Sequence, residues 1–193
     1  SPRWCLIHLT QMEARETVAL ARTGAVAGLC PLTEASLGDG IFDGVRWMAE
    51  GGAISLGSDS NIRISLAEEM RQLDTSQRLR DHSRAALATD ALSTGRRIWQ
   101  AAAAGGARAA GRDAGRIAAG ALADLVALDP AHPDLEGLSG DTVIDCFAFA
   151  GDSGMVRDVW AAGRHMVQGG RHIRRDAITD AYRRAVRDLR AGQ

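Results

Sequence analysis

The chain has 193 residues, of which 46% are hydrophobic and 24% charged, and its formal net charge at pH 7 is −1. This composition is typical of a soluble globular protein with enough residues for one real core, and it excludes a disordered chain. A net charge near zero gives no bulk attraction to nucleic acid or to an anionic membrane, and no apolar run reaches the roughly 20 residues of a membrane span. We therefore expect no nucleic-acid partner and no membrane partner.

Two residue types narrow the chemistry further. All 23 basic residues are arginine, which excludes a Schiff-base or carbamylated lysine from this chain. The three cysteines, Cys5, Cys30 and Cys146, are far apart and form no CxxC pair. A disulfide framework and a thiolate zinc cluster are therefore not expected, and the cysteine pattern favours a reducing cytoplasm.

Over the first 111 residues, short apolar runs alternate with amphipathic segments. The runs predict strands at 4–7, 25–29 and 53–56 and helices at 12–22, 41–50, 65–81 and 90–104, with a loop at 33–40. Strand–helix units closed by glycine turns are typical of parallel β/α architecture with right-handed crossovers. A complete β/α barrel has eight such units and ~250 residues. Residues 1–111 therefore predict only part of a barrel.

After residue 111 the pattern becomes one of short strands separated by turn residues. The strands are predicted at 115–117, 123–129, 143–148, 156–160 and 164–167. We interpret residues 112–175 as a small β-structure distinct from the barrel. Residues 176–193 form the last unit, in which a helix over 177–190 carries apolar residues on one face, and this face is predicted to pack against a core.

Polar residues follow the predicted barrel strands, at the rim where β/α barrels carry their chemistry. Asp59 could bind a divalent cation through one carboxylate oxygen and accept a proton through the other. An aspartate between two serines is equally suited to a turn or a helix cap. His8 could orient a water molecule and stabilise charge, and the alternative is a histidine satisfied by the backbone.

Thr33 and Glu34 lie on the same rim and are candidates for substrate contact, although a loop carboxylate is often hydrogen-bonded to nearby amides instead. Ser60 and Asn61 are interpreted as turn residues. Two arginines of the 65–81 helix and four further histidines are interpreted as solvent-facing: Arg78, Arg80, His82, His132, His165 and His172.

Three segments resemble the amidohydrolase superfamily. Residues 115–129 and 156–167 are similar to parts of a composite β-sandwich that these enzymes build from both chain ends, and Gly57-Ser58-Asp59-Ser60 is similar to their strand-eight ending. The resemblance implies that Asp59 is a metal ligand and proton acceptor. It also implies that His8 is the strand-six histidine that contacts the attacking water or the substrate.

A narrower resemblance lies in residues 29–42, which are similar to the strand-seven loop of formimidoylglutamate deiminases. Related purine and triazine deaminases tend to have Ser-Asn where this chain has Thr33-Glu34, and residues 76–81 fit the deiminase subgroup as well. Gln11 stands where relatives often carry a second histidine, which puts the role of that histidine in doubt.

The resemblance implies an α/β fold made of the C-terminal part of a TIM-like barrel, about strands 6–8, followed by part of the β-sandwich. It implies Zn²⁺ as the cofactor, but the strands that carry the HxH pair, a third histidine and a glutamate are absent. The fragment alone is therefore expected to be inactive and not to hold the metal. The missing N-terminal half is the expected partner, and the full-length protein is expected to be a homodimer.

The implied reaction is hydrolysis of N-formimino-L-glutamate to N-formyl-L-glutamate and ammonia in histidine degradation. Two alternatives stay open from the sequence. One is a guanine- or triazine-type heterocycle deaminase of the same superfamily, and the other is a non-catalytic remnant.

Overall fold

A computed structural model describes residues 1–60 and 63–192 of the chain. Its first sheet has three parallel strands in the order β1 (Cys5–Ile7), β2 (Val26–Leu29) and β3 (Ala53–Leu56). The central strand β2 is fully buried, as a continuous apolar run between two parallel neighbours should be. All three predicted strands of this region are thus present and share one sheet.

The helices of this region are α1 (Ala14–Arg22), α2 (Pro31–Leu37), α3 (Gly44–Ala49), α4 (Leu66–Asp81) and α5 (Thr94–Ala109). The two long helices begin at serine caps, where Ser65 accepts the backbone N–H of Glu68 and Ser93 accepts that of Arg96. The predicted loop at 33–40 is wrong, because α2 occupies most of it. Pro31 at the first helical position and Gly38 in the left-handed conformation bound this short helix.

Helix α5 packs directly on β3. A Cβ atom added to Gly105 would lie only 1.9 Å from the carbonyl oxygen of Ile54, whereas one added to Gly106 would meet nothing closer than 3.9 Å. Only glycine at position 105 allows the helix and strand backbones to approach so closely. The hydrophobic core lies between this sheet and the helices and includes Leu29, Phe42, Trp47, Ile54, Met70 and Ile98.

The second sheet is an antiparallel meander in the order β4 (Leu125–Leu128), β5 (Val156–Ala161), β6 (Arg164–Gln168) and β7 (Arg171–His172). Strands β4, β5 and β6 match predicted strands. Strand β7 was not predicted, and residues 115–117, predicted as a strand, have no regular structure.

The prediction of a strand at 143–148 is wrong, because these residues lie in helix α6 (Asp141–Phe149). Phe147 and Ala148 of α6 are buried in the core beside α4 and α5. The carboxylate of Asp145 accepts the backbone N–H of Gly95 at 2.7 Å, so α6 also caps the start of α5. An apolar run of this length fits a buried helix as well as a strand. Packing against α4 and α5 stabilises the helix in this chain.

Helix α7 (Arg175–Ala191) confirms the predicted helix but not its predicted packing. None of its described side chains is buried, and Ile178, Tyr182 and Leu189 are 50%, 68% and 71% exposed. The prediction that this face packs against a core is wrong for the described residues. No helix among the described residues is long and apolar enough to cross a bilayer.

The domain boundaries at 111 and 175 stay predictions. Helix α6 lies within 112–175, and it packs on the α4 and α5 helices of the preceding region.

Candidate functional site

His8 and Asp59 face each other at the carboxyl ends of β1 and β3. Nε2 of His8 lies 3.8 Å from Oδ2 of Asp59, and their side chains are 33% and 48% exposed. Both residues have left-handed backbones, with φ of 68° and 48°. Each chain segment therefore turns sharply where its strand ends, and this turn leaves both side chains on the rim.

The helix-cap interpretation of Asp59 does not fit the structure. Helix α4 begins seven positions later, and its capping side chain is Ser65, which accepts the N–H of Glu68. The carboxylate of Asp59 faces His8 instead and remains half exposed. Its oxygens are thus accessible to a cation or to water.

Glu34 reaches the other nitrogen of the same histidine. Its Oε1 lies 3.1 Å from Nδ1 of His8 and accepts the backbone N–H of Cys30 at 2.8 Å. Glu34 is 5% exposed, and the cavity beside it has a volume of about 60 Å³, whereas pockets for small molecules have roughly 300 Å³ or more. The imidazole of His8 thus lies between a buried and an exposed carboxylate.

Thr33 joins α2 to the loop that carries Asp59. Its hydroxyl donates to the carbonyl of Ser58 at 3.1 Å and accepts the backbone N–H of Ser60 at 3.3 Å. The two hydroxyls of Thr33 and Ser60 are 2.9 Å apart. Thr33 is 2% exposed. The substrate-contact role of Thr33 and Glu34 stays a prediction, and the turn role predicted for Asn61 lies outside the described residues.

Glu69 of α4 was missed by sequence reasoning. Its Oε2 accepts the backbone N–H of Leu32 at 2.9 Å, while its Oε1 is buried without a hydrogen-bond partner among the described residues. Burial raises the pKa of Glu69 to about 7. Because an acidic pair in the first helical turn usually interacts with the helix dipole, nothing in the sequence distinguishes Glu69 from its neighbour Glu68.

Burial also raises the pKa of two groups behind the rim, Glu34 and Cys30. Desolvation raises the pKa of Glu34, and the Cys30 N–H and His8 oppose this rise. Desolvation raises the pKa of the Cys30 thiol to about 11, helped by the carboxylates of Asp59, Glu34 and Glu69. The thiol of Cys30 therefore keeps its proton at neutral pH.

The segment between α2 and α3 is fixed from two sides. The side chain of Gln11 donates to the carbonyl of Asp39. The buried side chain of Gln77 accepts from the backbone N–H of Gly44 and donates to the carbonyl of Phe42, at 3.0 and 2.9 Å. Gln11 thus has a structural contact of its own in the loop after β1.

The interpretation of Arg78 and Arg80 as a solvated face is wrong. Arg78 pairs with the fully buried Asp74, and its guanidinium lies 4.9 Å from the centre of the Phe149 ring. Arg80 pairs with Asp43 at 3.1 Å, and its side chain is 28% exposed. Both arginines connect helix α4 to neighbouring elements.

A metal site cannot be built from this chain's described residues alone. They contain no group of three histidine, cysteine, aspartate or glutamate side chains that could hold a metal ion. Zinc sites use three or four protein ligands. The half-exposed carboxylate of Asp59 has the chemistry of one such ligand, and its role as a metal ligand stays a prediction.

The chain is similar to known proteins over most of its length. The profile of the Amidohydrolase family matches residues 5–166. The chain is 45% identical over 188 residues to the formimidoylglutamate deiminase of Pseudomonas aeruginosa, an alignment that covers 97% of this chain and 42% of that protein.

Two solved structures share the fold. An amidohydrolase from Brucella melitensis is 44% identical with a TM-score of 0.91. The match covers 98% of this chain and 42% of the Brucella chain. An adenosine deaminase from Xanthomonas campestris with bound zinc is 25% identical with a TM-score of 0.84. The match covers 98% of this chain and 43% of the Xanthomonas chain.

The chain thus spans less than half the length of these proteins. The predicted fold class is confirmed: an α/β chain with three strands of a TIM-like barrel and part of a second, antiparallel β-structure. The match over residues 5–166 shows that the chain belongs to the amidohydrolase family.

Proposed function

We propose that this chain supplies the C-terminal part of a zinc-dependent hydrolase that converts N-formimino-L-glutamate into N-formyl-L-glutamate and ammonia. The observation that carries the proposal is the pair of His8 and Asp59, whose Nε2 and Oδ2 atoms lie 3.8 Å apart on the barrel rim. The 45% identity to a formimidoylglutamate deiminase supports the choice of substrate.

Asp59 supplies one ligand in this proposal, and strands outside the 193 residues supply the others. Zinc, when bound, provides Lewis-acid activation of a water molecule near neutral pH. The zinc in the adenosine deaminase of Xanthomonas campestris supports the choice of metal.

The residues of this chain perform the proton transfers. Asp59 accepts a proton from the attacking water, and His8 holds this water against the formimino carbon. A carbon–oxygen bond forms at that carbon, and the bond to the terminal nitrogen breaks. Asp59 returns this proton to the nitrogen, and the second proton of the water leaves the hydroxyl as the carbonyl forms and also ends on the nitrogen. The nitrogen then leaves as ammonia, so that one water is consumed for each ammonia released.

The same proposal places the full-length protein in histidine degradation in the cytoplasm, as a homodimer. These parts rest on the resemblance to the deiminases.

A heterocycle deaminase is the second candidate, and the likeness to an adenosine deaminase favours it. The same water chemistry would then act on a ring carbon. Thr33 and Glu34 oppose this candidate, because related purine and triazine deaminases tend to have Ser-Asn at these positions. A non-catalytic remnant is the third candidate, and it predicts no activity in any assembly.

A chimera tests the three candidates. The matched segment of the Pseudomonas aeruginosa deiminase is replaced by this chain, and ammonia release is measured on N-formimino-L-glutamate, guanine and adenosine together with the zinc content. The proposal expects zinc binding and activity on formiminoglutamate alone. Activity confined to a heterocycle would favour the second candidate, and a folded, zinc-binding but inactive chimera would favour the remnant.

The 193-residue chain by itself is the control. We expect it to hold no stoichiometric zinc, and tight binding of one zinc per chain would contradict the incomplete ligand set.

A further inference from the structure

The buried carboxylate of Glu34 has a defined acceptor oxygen. Oε1 accepts the backbone N–H of Cys30 at 2.8 Å, and the same atom lies 3.1 Å from Nδ1 of His8. A backbone N–H can only donate, so Oε1 accepts from Cys30, and as an oxygen of the ionised carboxylate it can only accept from His8 as well. Even a proton on Oε2 would leave Oε1 in this role.

This acceptor determines the tautomer of the histidine. One nitrogen of a neutral imidazole carries a hydrogen, and the hydrogen bond made by one nitrogen sets the state of the other. With Oε1 of Glu34 as an acceptor, Nδ1 of His8 must carry the hydrogen. The lone pair on Nε2 then faces Oδ2 of Asp59 at 3.8 Å.

One water molecule can bridge the Nε2 lone pair of His8 and the carboxylate of Asp59, which are 3.8 Å apart. A water about 2.8 Å from both atoms can donate one hydrogen to each. The opposite tautomer would place a hydrogen on Nε2, and His8 would then donate to Asp59 or to the water oxygen. Only the tautomer with hydrogen on Nδ1 leaves both rim atoms able to accept from water.

We propose that Glu34 is a positioning residue that fixes His8 with its hydrogen on Nδ1 and its Nε2 lone pair directed at Asp59. The catalytic consequence rests on the proposed hydrolytic function, but the tautomer itself does not. This role differs from substrate contact, because Glu34 is 5% exposed and its Oε1 already has two partners.

Helix α2 has the contacts needed to hold Glu34 still. The backbone N–H of Leu32 is bound by Glu69, and the hydroxyl of Thr33 is bound to the Asp59 loop. Three consecutive residues of α2 thus connect α4, β3 and β1. Such outer contacts keep a reactive side chain in one orientation.

Nitrogen chemical shifts of ¹⁵N-labelled histidine test the tautomer at a pH where the imidazoles are neutral. In the 193-residue chain we expect Nδ1 of His8 to have the shift of a protonated nitrogen and Nε2 that of an unprotonated one. Glu34→Leu should move the hydrogen towards Nε2. Glu34→Gln should preserve the tautomer, because its amide oxygen can replace Oε1 as the acceptor.

The chain offers a matched control. Nε2 of His165 lies 2.8 Å from Oδ1 of Asp158 in the second sheet, so this pair uses the opposite nitrogen. Asp158→Leu should alter the signals of His165 only, and Glu34→Leu those of His8 only. His8→Gln identifies the signals. A wild-type His8 protonated on Nε2, or signals that Glu34→Leu leaves unchanged, would overturn the inference.

Kinetics in the chimera test the consequence. Glu34→Leu should lower kcat by about 10- to 100-fold with little change in KM or zinc content, and Glu34→Gln should recover most of the loss. A rise in KM alone would instead assign Glu34 to substrate contact. If the wild-type chimera is inactive, the proposed function fails, and the nitrogen shifts still decide the tautomer.

Discussion

The hydroxyl of Thr33 binds the backbone on both sides of Asp59. It donates to the carbonyl of Ser58 at 3.1 Å and accepts the N–H of Ser60 at 3.3 Å. A side chain on α2 thereby fixes a turn that follows β3. The position of the Asp59 carboxylate depends on this contact as well as on its own strand.

We expect Thr33→Val to loosen this turn without changing the shape of the buried site. The variant removes the hydroxyl and leaves the carbonyl of Ser58 and the N–H of Ser60 without this partner at a partly exposed turn, which should lower the free energy of unfolding by about 1 kcal/mol. Hydrogen exchange at the amide of Ser60 should accelerate. Thr75→Val is the control, because the Thr75 hydroxyl bonds within its own helix, to the carbonyls of Arg71 and Gln72. Equal exchange at Ser60 in both variants would contradict the role of Thr33.

Asp59→Asn tests the proposed ligand and proton acceptor. Asparagine keeps the size of the side chain and tolerates a left-handed backbone, but it accepts protons poorly. In the chimera we expect the zinc content to fall and ammonia release to drop by about 100-fold or more. Asp90→Asn, at an exposed carboxylate before α5, should leave both unchanged. Full zinc occupancy with a normal rate in Asp59→Asn would remove Asp59 from the mechanism.

Glu69 should make stability depend on pH. Its pKa is raised to about 7 in the folded chain, from an ordinary value of 4.5. Between these values the folded state binds more protons than the unfolded state, so stability falls as pH rises towards 7. Urea unfolding at several pH values should show this loss, on the order of 2 kcal/mol, and Glu69→Gln should remove most of it.

Glu34 remains in the Glu69→Gln variant and has a pKa raised in the same direction. The difference between the wild type and the variant therefore isolates Glu69. Glu68→Gln removes a charge from the same helical turn and should keep the pH dependence. Identical slopes in the wild type and Glu69→Gln would show that Glu69 is not the titrating group.

Two adjacent glycines of α5 should respond oppositely to alanine. Gly105→Ala places a Cβ atom against the carbonyl of Ile54 and must push α5 away from β3, which should cost about 3 kcal/mol or more. Gly106→Ala has space around it and improves helix propensity by up to about 1 kcal/mol. Thermal unfolding of the two variants compares them directly. A stable Gly105→Ala chain would mean that the α5–β3 contact is looser than described.

The barrel strands could be predicted from sequence because each is a short apolar run between glycine turns. The meeting of His8 and Asp59 followed from the rule that parallel strands end at one edge. Their chemical roles remain predictions.

Other features could not be predicted because they depend on distant neighbours. The run at 143–148 became a helix only because α4 and α5 offer it a surface. The contact of Glu34 with His8 joins α2 to the residue that follows β1, and the unpartnered oxygen of Glu69 depends on α4 meeting α2. Periodicity along the chain contains no information about these contacts.

The left-handed backbones of His8 and Asp59 lower the thermal stability of the fold, although both side chains are proposed to take part in the reaction. A residue with a Cβ atom is strained in this conformation by roughly 1–2 kcal/mol, and glycine is not. Glycine at either position would relax the turn and remove a side chain that is proposed to act in the reaction. A directed-evolution screen that rewards heat resistance alone should therefore accept glycine there and lose both side chains.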